Sequence, residues 1–214
     1  MQTLIEGFRR FRTTDFHDHA SRFRELAMLG QSPKAAVLAC CDSRVDPQLI
    51  FNCAPGDLFV IRNVANLVPP YHPNADYHGT SAALEFAIKG IAVPNIIVMG
   101  HTLCGGVKAL IEQDLESDFL GNWMSIADPV RGRYRSGTAG LGMAEQDVIR
   151  LSLANLMTFP WIRDRVRDGS LALHGCLFDV AAADLLMLGE DGAFRSVLPE
   201  DEAPRAAPRR LARG

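Results

Sequence analysis

Two unbroken apolar runs constrain this chain more than any other feature. Residues 35–41 read AAVLACC and residues 95–99 read NIIVM, each of strand length and each shortly after a proline, Pro33 or Pro94. A strand with one wet face alternates apolar and polar side chains. A run without alternation is a strand buried on both faces, as in a parallel sheet covered by helices. The intervening segments fit that reading. Residues 57–61 (DLFVI) form a further strand, residues 79–91 carry Ala83, Phe86 and Ala87 on one helical side, and residues 104–114 return to helix. Strand and helix in alternation imply βαβ units with right-handed crossovers.

The flanks extend this core. In the first thirty residues, Leu4, Ile5, Phe8 and Phe11, then Phe23, Leu26 and Ala27, recur at helical spacing before Gly30. Arg9, Arg10, Arg12, Arg22 and Arg24 fall on the other faces, which reads as a solvated surface or as an arm lying on a partner subunit. Residues 118–168 are predicted helical, with Val148, Leu151, Leu153, Leu156 and Met157 as the densest apolar stripe. Residues 170–176, 184–188 and 194–198 read as strands, the last two joined by a tight GEDG turn. The expected fold is therefore α/β: a central, mostly parallel sheet flanked by helices, with an N-terminal helical arm and a C-terminal β-hairpin extension. One domain spans 1–198, with the arm at 1–29, and the Pro/Ala/Arg-rich residues 199–214 are expected to be a mobile tail.

Composition narrows the function classes. The 214 residues include 22 Lys+Arg against 25 Asp+Glu, a net charge of −3, so nothing marks a nucleic-acid partner. No stretch is long and apolar enough for a membrane span, and the first twenty residues carry charges where an export signal needs an apolar run. A cytoplasmic location is expected. In a reducing compartment Cys40, Cys41, Cys53, Cys104 and Cys176 are core, metal or catalytic thiols rather than disulfides.

Chemistry gathers at two strand ends. Cys40-Cys41-Asp42-Ser43-Arg44 follows the first buried run, and His101-Thr102-Leu103-Cys104-Gly105-Gly106 follows the second and opens a helix. Ligands of an open parallel sheet collect beyond the carboxyl ends of its strands, so both segments point at one place. Thiolate and imidazole are the donors zinc prefers. A cysteine at a helix N-terminus is held as thiolate by the free N–H groups there. Strand parity pairs Cys40 with Asp42 and sends Cys41 to the other face, without deciding which pair meets the site. Three protein ligands leave a position for water, and a fourth closes the shell. Asp42 decides between these states: the Arg44 fork can hold its carboxylate off the metal in a bidentate pair, and breaking that pair frees it to bind.

At these residues the chain resembles the β-class carbonic anhydrases, most closely their plant-like branch, over roughly residues 30–194. The resemblance rests on residues 30–34 (GQSPK), 40–44 (CCDSR), 62–71 (RNVANLVPPY), 100–106 (GHTLCGG) and 171–175 (LALHG). It implies that Cys40, His101 and Cys104 bind one Zn2+ per chain, that Asp42 and Arg44 form a gating dyad with Asp42 a conditional fourth ligand, and that Gln31 donates a hydrogen bond to a substrate oxygen. Phe59, Val64 and Phe86 would line an apolar pocket for carbon dioxide. The pocket would lie at a dimer interface, making the protein a homodimer or a higher even oligomer. The activity implied is reversible hydration of carbon dioxide to bicarbonate and a proton by zinc-bound hydroxide. Two thiolates cancel the charge of the metal, so activity is expected to rise with pH on the alkaline side of neutral.

The chain also departs from the pattern. Phe86 stands where the plant-like branch often has Tyr, and Cys176, read as a core thiol, stands where Trp is common. An inhibitory bicarbonate site of the other branch uses Trp, Arg and Tyr, where this chain has Val37, Arg62 and Phe178, so that inhibition should be absent. His72, His78 and His174 are proton-shuttle candidates by residue type only. Two other readings share the zinc site: hydrolysis of carbonyl sulfide or carbon disulfide, and a non-catalytic structural zinc in an interaction protein with Asp42 always on the metal.

Overall fold

Every residue of β1 (Ala35–Cys40) is buried, which explains its lack of polar side chains. It lies between β2 (Leu58–Asn63) and β3 (Asn95–His101), parallel to both. Beyond β3 comes β4 (Ala172–Asp179), also parallel, and then β5 (Asp184–Leu188) and β6 (Phe194–Ser196) as the antiparallel hairpin extension. The sheet order is thus β2-β1-β3-β4-β5-β6. From β1 the chain moves to one side and then returns to the other. That reversal opens a crevice beyond the carboxyl ends of β1 and β3. The computed structural model describes residues 1–74, 76–112, 117–134 and 140–198.

Alternate side chains of the central strands feed two apolar layers. Val37, Ala39 and Met99 pack with Val107, Leu110, Met124 and Val130 on one face, while Ala36, Leu38, Ile96 and Val98 pack with Leu84, Ile149, Leu156 and Phe159 on the other. The covering helices are α3 (Pro47–Ile50), α4 (Gly79–Glu85), α5 (Gly105–Glu112), α6 (Leu120–Met124), α7 (Asp128–Tyr134), α8 (Gly140–Leu156) and α9 (Pro160–Arg167). The arm comprises α1 (Gln2–Thr13) and α2 (Asp15–Leu29), neither of which contains a buried residue. Phe11, Phe16 and Phe23 hold the two together, and Arg22 ties α2 to the domain through the Pro55 carbonyl, at 3.3 Å, and Asp57.

Several element boundaries differ from the sequence reading. β1 stops at Cys40, β2 and β3 run on to Asn63 and His101, β4 covers 172–179 rather than 170–176, and β6 ends at Ser196. The arm divides at Thr14. The helix expected over 79–91 ends at Glu85 and widens into a π turn, Phe86–Gly90, where the Ile91 N–H donates to the Phe86 carbonyl at 3.0 Å. Gly90 makes room for this turn: a Cβ there would lie 3.1 Å from the Phe86 ring. The helical stretch expected over 118–168 is divided into α6, the 3-10 turn Ser125–Ala127, α7, α8 and α9, with Pro160 starting the last. The expected tail, 199–214, lies outside the described residues.

Candidate metal centre

β1 and β3 are neighbours and end on the same sheet edge, so Cys40 and His101 emerge side by side. The chain then turns sharply. Thr102 donates its N–H to the Phe178 carbonyl at 2.9 Å, Leu103 takes a left-handed conformation with φ of 61°, and Cys104 leads into α5. The turn brings the Cys104 sulfur to 4.0 Å from that of Cys40. With a ring nitrogen of His101, the three donor atoms lie within 4.8 Å of one another, and all three residues are buried.

These donors fit zinc on three counts. Zn–S bonds of about 2.3 Å in a tetrahedral shell set two sulfurs about 3.8 Å apart, close to the observed spacing. The Thr102 carbonyl 2.9 Å from His101 Nδ1 can only accept, so Nδ1 carries the proton and Nε2 keeps a lone pair. That Nε2 is buried and has no hydrogen-bond partner, a costly state that a cation relieves. The hydrogen bond between the sulfurs lowers the Cys40 thiol and raises that of Cys104, so the pair retains one proton, and the helix N-terminus alone does not hold Cys104 as the thiolate expected from the sequence. Zinc uptake must expel that proton. Calorimetric titration in buffers of different ionisation enthalpy should therefore report proton release, with affinity falling about tenfold for each unit by which pH is lowered, per proton displaced.

Asp42 stands beside this centre and is engaged elsewhere. Its Oδ2 lies 4.0 Å from His101 Nε2. Arg44 grips the carboxylate by two bonds, Nε to Oδ1 at 2.9 Å and a terminal nitrogen to Oδ2 at 2.7 Å, and its backbone N–H donates to Oδ1 at 2.9 Å. The same terminal nitrogen reaches the Leu103 carbonyl at 3.0 Å, linking the two strand-end segments. The Arg44 bonds hold the Asp42 carboxyl well below the usual range, so it is ionised at neutral pH.

Two neighbours of the site were not legible in the sequence. Arg62 on β2 donates to the carbonyls of Cys40 at 3.0 Å, Asp42 at 2.7 Å and Val45 at 3.2 Å, and pairs with Asp46. It fixes the path of the loop that carries Cys40, Asp42 and Arg44. Glu145 on α8 is buried and accepts the Cys104 N–H at 2.8 Å. Burial pushes its carboxyl up to about 7 against the pull of that bond.

The residues expected around the substrate fall into two places. Val64 directly follows Asn63, the partner of Cys40 across the sheet, and its carbonyl accepts from Trp123 Nε1 at 2.8 Å. Gly106 is required there, since a Cβ would sit 2.8 Å from the Val64 side chain. Phe59 pairs with Ala36 at the opposite end of β1, and its ring lies 6.0 Å from that of Phe86. Gln31 is exposed and precedes β1 at that same far end. Cys176 is a core thiol, pushed up to about 12 by burial. His174 lies 3.0 Å from Asn95 within the sheet, whereas His72 and His78 line a surface cavity with Tyr71 and Trp161.

Comparison with known proteins agrees with this geometry. A profile of the family "Carbonic anhydrase" matches residues 35–185. Beta carbonic anhydrase 3 of Arabidopsis thaliana is 35% identical over 190 residues, spanning 84% of this chain and 73% of that protein. The solved β-carbonic anhydrase CcaA matches with a TM-score of 0.85 and 35% identity, over 94% of this chain and 93% of that one. A tetrameric β-carbonic anhydrase of Sordaria macrospora matches with a TM-score of 0.79 and 27% identity, over 88% of this chain and 96% of that one. A chain that shares a third of its residues with a plant β-carbonic anhydrase and follows a solved one along nearly its whole length belongs to the β class of the carbonic anhydrase family, lyases that use zinc to hydrate carbon dioxide.

Proposed function

We propose that this chain interconverts carbon dioxide and bicarbonate at a centre completed by a second copy of itself. The observation that carries the reading is the division of labour at the strand ends: three donors converge, while Arg44 engages the one carboxylate able to close the shell. Cys40, His101 and Cys104 would hold one zinc ion, which supplies the Lewis acidity that makes water a nucleophile near neutral pH. Asp42 accepts a hydrogen bond from the attacking water and turns a lone pair toward the substrate carbon. Arg44 fixes the direction of that carboxylate, and Arg62 fixes the backbone beneath it.

Gln31 donates to a substrate oxygen as negative charge grows there. Phe59, Val64 and Phe86 wall an apolar pocket that keeps bulk water from the carbon dioxide. Four residue steps along β1, roughly 13 Å, separate the partner of Phe59 from Cys40, and Gln31 lies beyond that end of the strand. Within one chain Val64 lies beside the centre, whereas Gln31, Phe59 and Phe86 lie toward the far end of β1. Gln31, Phe59 and Phe86 serve the centre of a second copy, which returns the same service, and this makes a dimer, or an even multiple of it, the active unit. The tetrameric relative and the exposure of Phe86 (55%) and Leu103 (57%) support this assembly. Among the described residues no helix is long and apolar enough to cross a membrane. Five free cysteines support a reducing compartment, and we place the protein in the cytoplasm.

Stopped-flow measurement of carbon dioxide hydration tests the proposal. Activity should disappear with a chelator, return with zinc, and fall on dilution as the copies separate. A folded, zinc-loaded dimer with no hydratase activity would reduce the zinc to a structural role. Turnover of carbonyl sulfide or carbon disulfide alone would assign the centre to that chemistry.

A further inference from the structure

We propose that Glu145 is a positioning residue that sets Cys104 as a metal ligand, by anchoring the backbone of the turn that delivers its sulfur. Glu145 is 3% exposed and accepts a hydrogen bond from the Cys104 N–H, 41 positions away in sequence. Burying a carboxylate is costly unless something specific binds it. Here that something is the residue where β3 hands over to α5.

The turn has reason to need an anchor. Leu103 is held in the left-handed region that branched side chains avoid, and that twist points the Cys104 sulfur back toward Cys40. Cys104 immediately precedes α5, and the backbone N–H groups of Gly106 and Val107 in its first turn favour the thiolate form of the sulfur. Its own N–H is taken by Glu145. Arg44 holds the Leu103 carbonyl from the other side. The strained residue is thus pinned on both flanks, and α8, packed along β3 and β4, is the rigid element from which Glu145 reaches it.

The inference rests on Cys104 being a zinc ligand, so zinc stoichiometry of the unaltered protein is measured first. If that protein binds no zinc, the metal reading fails; if it binds one equivalent, the test addresses Glu145 alone. Glu145→Leu keeps the bulk and removes the acceptor, whereas Glu145→Gln keeps an acceptor oxygen. Chelator competition should show zinc held about 10–100-fold more weakly by E145L. E145Q should recover most of the affinity. With cobalt in place of zinc, the thiolate-to-metal absorption should weaken in E145L and match the parent in E145Q. A role in folding alone would lower Tm and leave both readouts of the folded protein unchanged. If E145L does not fold, Glu145→Asp, which keeps the charge but withdraws the oxygen, carries the same expectation. Parental zinc affinity and cobalt spectrum in a folded E145L or E145D would overturn the proposal.

Discussion

Cys40→Ala and Cys104→Ala should each lose zinc and hydratase activity together. Either change leaves two of the three converged donors, with Asp42 still engaged by Arg44, too few for a metal that structural and catalytic sites hold with three or four. Each also removes the partner of the sulfur 4.0 Å away, so the remaining thiol loses the hydrogen bond that shaped its ionisation. Metal analysis after gel filtration should fall from one zinc per chain to near none, and stopped-flow rates should approach the uncatalysed background. Cys176→Ala is the matched control. It deletes a buried thiol of the same type, 0% exposed, from the same sheet, yet one facing the core. It should cost about 1 kcal/mol of stability and keep both zinc and activity. A fully active, zinc-loaded Cys104→Ala would detach the turn after β3 from the chemistry.

The contrast between these cysteines shows why part of the site could be read from sequence and part could not. Cys40, His101 and Cys104 were legible because chemistry-bearing residues stood at the ends of apolar runs, and the direction of a parallel sheet brings such ends together. Strand existence was equally legible, since a doubly buried strand admits no polar residue. Strand ends were not: β2 runs on through Arg62 and Asn63, polar residues whose partners are loop carbonyls and a turn. Glu145 followed the same logic in reverse. Beside Gln146 and Asp147 on a helix it gives no sequence sign of burial, and the Cys104 N–H that it accepts lies 41 positions away. The residues proposed around the substrate needed one further step. Gln31 and Phe59, proposed to serve the substrate, lie toward the far end of β1 from the metal centre of their own chain, because sheet register, not local pattern, sets that distance.

Asp42→Ala should keep a full equivalent of zinc and lose about 10²-fold in kcat, the scale of a lost orienting acceptor. Zinc retention follows because the three donors converge without Asp42. Arg44→Ala should lose a similar factor for the opposite reason: without the guanidinium, a carboxylate oxygen already 4.0 Å from His101 Nε2 is free to move onto the metal and close the shell. Its zinc should then dissociate more slowly than the parent's, while that of Asp42→Ala does not. The double variant should be no slower than Asp42→Ala alone, because the damage done by removing Arg44 passes through Asp42. The pH dependence separates this dyad from other ionisations. Arg44 holds the folded Asp42 carboxyl below its unfolded value, so the contribution of the pair to stability is present above the ordinary carboxylate range. It is lost only as pH falls through the depressed folded value. A decline of activity between pH 8 and 6 therefore cannot be protonation of the paired Asp42, and Asp42→Ala should show the same midpoint in its residual rate as the parent. Full activity in Asp42→Ala would remove the carboxylate from the mechanism, and a double variant much slower than either single one would break the coupling on which the gate depends.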